Sequence, residues 1–431
     1  MASSFLCSSV SINSRIFSPL NFFLFCLITF PLFSKGFEYF NFFAINNLFN
    51  GIKDVVSPND NNKQNVPELE DAYLNITQLV TKYEYEIEEH TLTTEDGYIL
   101  NIQRMPARNE TKSIIFLMHG ILDSSDSWVL QGPNHALAYF LVDEGFDVWM
   151  GNARGNKYSS SHTTLNKTQP DFWKFSWEEI GTYDLPAMID YVLNVTGENK
   201  LYYVGYSQGT TIFYVMNSLR PEYNSKVKIM FSLAPVTWMS HAKSPIVKLL
   251  TSAYGILGYL SSVDIYSSST DHLNRIKNIL CNVLPFGCDN LLQYIIGNDY
   301  KLMKPSLMPV IFGHVPSSSS TLQIVHYGQL YSSGRFCRFD FGASVNLVKY
   351  GQEMPPNYNL SNVTAPTVFF YGSNDFLSDV DDVSLLFNAL PNVYNTYYLE
   401  NFNHFDYMYA NTAKDLIYCN IVKEIKDFND D

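Results

Sequence analysis

Residues 204–209 read Val-Gly-Tyr-Ser-Gln-Gly, and their flanks limit what the chain around them can become. Before them runs Leu201–Val204, short and apolar with β character; after them comes "TTIFYVMNSL", whose apolar residues recur at helical spacing. A strand that reverses into a helix within so few residues holds the residue at the turn in a strained backbone conformation. Glycine on both sides, here Gly205 and Gly209, removes the side chains that would block so sharp a turn. Ser207 is therefore expected at the carboxyl edge of a sheet with its hydroxyl presented outward, as a nucleophile elbow. The plainer reading is a glycine-rich strand-to-helix turn with a capping serine, since short patterns of this kind recur by chance. The strand before it and the helix after it favour the elbow.

The remaining patterning supplies such a sheet. Residues 85–105 read as two strands of alternating pattern around the turn-forming Glu95-Asp96-Gly97. Ser113–Met118, Phe146–Met150, Leu201–Val204 and Lys228–Ala234 are short apolar, β-rich runs, with helical spacing in Pro133–Glu144 and after Gly209. Two more strand-like runs follow, one in "PTVFFYGSND" at 366–375 and one at Val393–Leu399. Short buried runs that alternate with helices predict an α/β fold with a mostly parallel, doubly wound sheet. Residues 37–66, ending in an Asn/Asp/Pro-rich stretch, read as a connector; 67–236 and 366–431 read as the two parts of the sheet domain. The insertion at 237–365 carries apolar helical runs such as "SPIVKLLTSAYGILGYLSS" and is expected to form a helical cap over the site.

A serine hydroxyl is a weak nucleophile at neutral pH and needs a positioned base, which in turn needs an orienting acid. On a strand-turn-helix elbow of this kind the chain order is serine, then acid, then histidine. Five histidines follow Ser207, at 241, 272, 314, 326 and 404, and only His404 lies beyond a second strand-loop-acid unit, the one that ends in Asp375. Asp379, Asp381 and Asp382 compete with Asp375 for the acid role. An oxyanion formed at Ser207 would need two backbone N–H donors: one from Gln208, the other from the loop His119-Gly120-Ile121-Leu122. No His/Cys set has metal-ligand spacing, and this chemistry needs neither metal nor organic cofactor.

The first residues belong to targeting rather than to the fold. Met1–Ser18 carries Arg15 and no acid, the apolar run Leu20–Phe33 suits a signal h-region, and Ser34 and Gly36 suit cleavage after Gly36. Residues 1–36 thus read as a signal peptide; the alternative is that Ile16–Phe33, interrupted by Pro19, Asn21 and Pro31, stays as a membrane anchor. Six N-x-[ST] triplets, at Asn75, Asn109, Asn166, Asn194, Asn359 and Asn362, agree with the secretory pathway. With Cys7 and Cys26 in the targeting segment, Cys281, Cys288, Cys337 and Cys419 remain. The spacing of Cys281 and Cys288 suits a small loop disulfide in an oxidising compartment, with zinc as the rival reading. Hydrophobic residues make up 46% of the chain and charged residues 16%, which rules against a disordered chain or a coiled coil. The net charge of −14, with no basic stripe, argues against a partner held by its phosphates, so nucleic acid is not expected.

Taken together, "ELEDAYLNITQLV", "LMHGILDSSDSWV", "FDVWMGNARGNKYSSSH", "FWKFSWEEIGTYDLPAMIDYVLNVTGENKLYYVGYSQGTT", "YGSNDFLSDVDDVSLLFNALPN" and "NFNHFDYMYANTAKDLIYCNIV" closely resemble the acid lipases, the gastric and lysosomal lipases of the α/β-hydrolase superfamily. The resemblance runs from about Pro67 to Val422. It implies an α/β-hydrolase fold with a cap, a nucleophile at Ser207, an acid at Asp375, a base at His404, and oxyanion donors at Leu122 and Gln208. It implies a secreted or lysosomal enzyme that meets lipid esters at an emulsion or membrane surface. Two departures stand out: Tyr206 takes a place where the family more often has histidine, and one cysteine of the family's usual disulfide is missing upstream of Cys281. The pairing of Cys281 with Cys288 is thus read from spacing and not from the resemblance. Rival functions are an esterase or thioesterase on other acyl substrates and a non-catalytic lipid-binding protein on the same fold. Nothing in the sequence specifies an oligomeric state.

Overall fold

A computed structural model describes residues 70–108, 113–245, 247, 296–297 and 302–428. Within them nine strands form one sheet: β1 (Glu88–Thr93), β2 (Tyr98–Met105), β3 (Ile114–Met118), β4 (Asp147–Met150), β5 (Ser161–His162), β6 (Leu201–Tyr206), β7 (Val227–Leu233), β8 (Thr367–Gly372) and β9 (Val393–Leu399). Their order across the sheet is β1-β2-β4-β3-β6-β7-β8-β9, with β5 paired to β2. The pairs from β4 to β9 are parallel; β1–β2, β2–β4 and β2–β5 are antiparallel. Strands β3, β4 and β6 are buried at every position, which is why they read as unbroken apolar runs. At one edge β1 alternates, and at the other β9 turns most of its residues to solvent.

The two-residue period of the strands divides their side chains between two cores. On one face Ile115, Leu117, Val148, Val204, Phe231 and Phe370 pack with helices α1 (Ile76–Lys82) and α2 (Leu137–Asp143). On the other Phe116, Trp149, Tyr203, Met230 and Phe369 pack with α3 (Leu185–Thr196) and α4 (Gln208–Leu219). Each helix begins and ends for a local reason. The Asn75 side chain accepts from the Gln78 N–H while the Gln78 side chain caps the Asn75 N–H, a reciprocal start for α1. Helix α3 stops where Gly197 takes φ of 73° and returns its N–H to Leu193.

Between β7 and β8 the described residues add helices α5 (Met308–His314), α6 (Thr321–Ser333) and α7 (Ala343–Tyr350) and no strand of the sheet. Further on lie α8 (Val380–Ala389) and α9 (Cys419–Asp427). Helix α6 and the chain that follows it are fastened to Trp177 and Glu178. The Trp177 ring stacks on His326 at 3.6 Å, and Glu178 accepts from Arg338 at 2.6 Å and from the Tyr358 hydroxyl at 2.6 Å. Burial pushes the His326 imidazole down to about 4, so the stacked ring stays neutral. Burial opposes the Glu178 charge, yet Arg338 and Tyr358 outweigh it and hold the carboxyl below its ordinary range. Among the described residues no helix is long and apolar enough to cross a membrane. The Leu20–Phe33 run, the cut expected after Gly36 and the runs around 248–295 lie outside the described residues.

The clamp at Glu178 yields a stability test. Arg338→Met leaves a buried carboxylate without its cation and should cost roughly 2–3 kcal/mol, lowering the melting temperature measured by calorimetry at neutral pH. Loss of less than about 0.5 kcal/mol would mean that solvent already screens the pair.

Candidate active site

Ser207 sits between the end of β6 and the start of α4 with φ of 52° and ψ of −117°. A non-glycine residue held there is strained by roughly 1–3 kcal/mol and persists only when its surroundings fix it. They do: the Ser207 N–H donates to the Leu233 carbonyl at 3.0 Å, and the Ser207 carbonyl accepts from the Thr210 hydroxyl at 2.6 Å. The two glycines are required by contact. A Cβ on Gly205 would lie 2.7 Å from the Gly209 carbonyl group, and one on Gly209 would lie 2.2 Å from the Met118 oxygen. Helix α4 therefore crosses the ends of β3 and β6 at a distance no side chain tolerates.

Two later loops bring their side chains to this serine. His404, beyond β9, places Nε2 at 2.8 Å from the Ser207 Oγ and Nδ1 at 2.8 and 3.0 Å from the two Asp375 oxygens. Asp375, beyond β8, is oriented by the N–H groups of Leu377 and Ser378, which donate to its Oδ1 at 2.9 and 2.8 Å. All three side chains are buried. The competing carboxylates are engaged elsewhere: Asp379 caps α8 and pairs with Lys243 at 2.7 Å, Asp382 pairs with His241 at 2.8 Å, and Asp381 is exposed in the first turn of α8.

Gln208 is the first residue of α4, so its backbone N–H has no carbonyl partner within the helix and opens beside Ser207. Leu122 has φ of 58°, and its carbonyl accepts from the Ser317 N–H at 2.6 Å, which ties its peptide to the chain between α5 and α6. The loop between is held by buried His119, whose Nε2 accepts from the Ala153 N–H at 3.2 Å while Nδ1 donates to the Gly120 carbonyl at 2.7 Å. Burial pushes this imidazole down to about 4, so it keeps the neutral tautomer those two bonds demand. An apolar cavity of about 170 Å³ opens at Ser207, lined by Leu122, Val236, Met239, Ile324, Tyr327 and Leu377.

Several contributions carried no signal in the sequence. The Tyr206 hydroxyl donates to the His404 carbonyl at 2.6 Å, with the two rings 5.4 Å apart. The Gln208 side chain is buried and donates to Gln323 of α6 at 2.7 Å. Asp123, next to Leu122, accepts from the Ser124 N–H at 2.7 Å and the Ser127 hydroxyl at 2.5 Å, and burial raises its carboxyl to about 7. Burial likewise opposes ionisation of nearby Asp126, but His314 and Lys157 outweigh it and hold that group below its ordinary range.

Other expected positions fall as follows. Asn75, Asn166, Asn194 and Asn359 are exposed; Asn362 is half-buried with its amide donating to the Ser218 carbonyl at 3.0 Å; Asn109 lies outside the described residues. Cys281, Cys288 and His272 also lie outside them, while Cys337, buried, and Cys419, exposed, are unpaired. Among the described residues no cluster of three or more His, Cys, Asp or Glu side chains could hold a metal ion.

Two family profiles match this chain: one described as a partial alpha/beta-hydrolase lipase region, over residues 76–132, and one as the alpha/beta hydrolase fold, over 113–275. Lipase 1 of Drosophila melanogaster is 41% identical over 355 residues, covering 81% of this chain and 79% of that protein. Gastric triacylglycerol lipase of Homo sapiens is 34% identical over 363 residues, covering 82% of this chain and 91% of that protein. Lipase member K of Homo sapiens is 35% identical, covering 83% and 92%. Among solved structures, a soluble variant of monoglyceride lipase from Saccharomyces cerevisiae aligns with a TM-score of 0.51 at 12% identity over 80% of this chain and 95% of that one, a likeness of fold.

Asp123 sets a pH test. Its folded value lies above the unfolded one, so its contribution to stability is present at low pH and is lost as pH rises from about 4 to 7. Asp123→Asn keeps an oxygen that can accept both bonds; relative to wild type it should gain stability across that window and level off above it. Melting temperatures of both proteins over this range check it, and a constant difference would show that Asp123 is ionised throughout.

Proposed function

The chain belongs to the acid lipases of the α/β-hydrolase fold and is an ester-hydrolysing enzyme, and on that premise we propose that it cleaves the carboxylic esters of neutral lipids, triacylglycerols or cholesteryl esters, through an acyl-enzyme on Ser207. The observation that carries the reading is the hydrogen-bonded chain from Ser207 through His404 to Asp375, opening on an apolar cavity. Ser207 Oγ attacks the ester carbonyl as His404 Nε2 takes its proton, and the imidazolium then protonates the leaving alcohol. Asp375 fixes the tautomer that leaves Nε2 free to accept. The N–H groups of Gln208 and Leu122 receive the tetrahedral oxyanion, and water repeats the sequence to release the fatty acid. The apolar lining of the cavity suits an acyl chain, and no step requires a metal or organic cofactor.

The same reading makes residues 237–365 a cap over the site and residues 1–36 a signal peptide, with the enzyme secreted or lysosomal. Glycan attachment at exposed Asn75, Asn166, Asn194 and Asn359 is compatible with this route.

Organophosphonate labelling of Ser207 and hydrolysis of emulsified triacylglycerol against cholesteryl ester test the proposal directly. Ser207→Ala and His404→Ala should each lower kcat on the order of 10⁴-fold, and Asp375→Asn comparably, with folding retained. Near-normal turnover by Ser207→Ala would sink the assignment, and cleavage of only soluble esters or thioesters would move the substrate class. Tyr206→Phe removes the hydroxyl that holds the His404 loop and should lower kcat roughly tenfold with little change in KM, accompanied by slower phosphonate labelling. An unchanged kcat would leave Tyr206 as packing alone.

A further inference from the structure

Helix α7 (Ala343–Tyr350) stands off the body of the protein. Of its eight residues only Asn346 is buried. Val348 is 89% exposed, and Val345, Leu347 and Phe341 before the helix are exposed with it; Met354 beyond it is 66% exposed. The other large apolar residues exposed among the described ones are scattered singly, as is ordinary; this group is contiguous in the chain. The helix is nonetheless built to stay. The Asn346 side chain accepts from the Phe341 N–H at 3.0 Å and donates to the Asp340 carboxylate at 2.7 Å and the Glu353 carbonyl at 2.8 Å, joining both ends of the segment from beneath. Gly342 and Gly351, at φ of 86° and 75°, let the chain turn out of the body and back.

Charge decides the kind of partner. From Phe341 to Met354 the charged side chains are Lys349 and Glu353, which cancel, in a chain whose net charge is −14. An outward apolar segment without net charge, in so acidic a chain, matches a zwitterionic phospholipid surface, whose headgroups carry no net charge over the acyl chains. Position supports this. The Gln329 side chain of α6 both donates to and accepts from the Asp340 backbone at 2.8 Å, and its neighbour Gly328 lines the cavity at Ser207. The exposed helix is thus mounted on the element that walls the cavity.

We propose that α7 and its flanks, Phe341–Met354, form the surface by which the protein adsorbs to a phospholipid monolayer or bilayer. The preference for lipid over a protein partner rests on the lipid-ester reading above; the adsorption itself does not require turnover.

Flotation with phosphatidylcholine vesicles, with and without phosphatidylserine, tests it on the full chain carrying Ser207→Ala, so that binding is read apart from hydrolysis. Adding Val345→Ser and Val348→Asp should lower the vesicle-bound fraction at least tenfold. The same two changes in the enzyme with Ser207 intact should leave hydrolysis of a soluble short-chain ester unchanged, which also shows that the variant folds. Val348→Trp, which introduces no charge, should shift its emission to the blue when vesicles are added. Unchanged flotation, or no emission shift, would overturn the proposal. So would a wild-type dimer, seen by light scattering, that the double variant dissociates, since the face would then serve a second copy. Vesicle binding by a protein that, with Ser207 intact, hydrolyses no ester would instead overturn the catalytic reading and leave the surface standing.

Discussion

How closely α4 approaches the end of the sheet governs everything built around Ser207. At the crossing, backbone meets backbone: Gly209 lies against the Met118 carbonyl of β3, and Gly205 against the Gly209 carbonyl. Only this spacing lets the first N–H of α4 and the Ser207 hydroxyl emerge side by side, and only a serine with φ of 52° links the two elements in so few residues. The strain is held by the β6–β7 pairing, whose last hydrogen bond runs from Ser207 to Leu233.

Parallel pairing then does the rest of the positioning. Because β6, β7, β8 and β9 lie side by side and run in one direction, the loops that follow β6, β8 and β9 leave from the same edge. Ser207, Asp375 and His404 come from those three loops. The distances are closed by backbone anchors rather than by the three side chains alone: Leu377 and Ser378 hold the carboxylate, and the Tyr206 hydroxyl and Ile296 carbonyl hold the backbone of His404. The neutral His119 and the high-pKa Asp123 behind Leu122 belong to the same supporting layer.

The sequence disclosed the parts of this arrangement that repeat a pattern. Unbroken apolar runs at β3, β4 and β6 announced strands covered on both faces, and the serine-acid-histidine order separated His404 from four other histidines. It did not disclose what depends on contacts between distant segments. Asp375, Asp379 and Asp382 look alike along the chain; only folding shows that the last two are occupied by Lys243 and His241. Tyr206 read as a mere variant before the serine, because its partner is a carbonyl 198 residues away. The exposure of α7 was equally hidden, since its apolar residues follow the same spacing that elsewhere marks a buried face.

One consequence follows from the span of the hydrogen bond between His404 and Ser207, which joins residues 197 apart in the chain. Closing so long a loop adds little to the free-energy cost of folding but a good deal to its time, since contacts distant in sequence form late. During synthesis the elbow is made long before β8 and β9 exist. A nascent chain therefore holds Ser207 without the His404 imidazole, and on the function proposed above hydrolytic competence waits until β8 and β9 have joined the sheet.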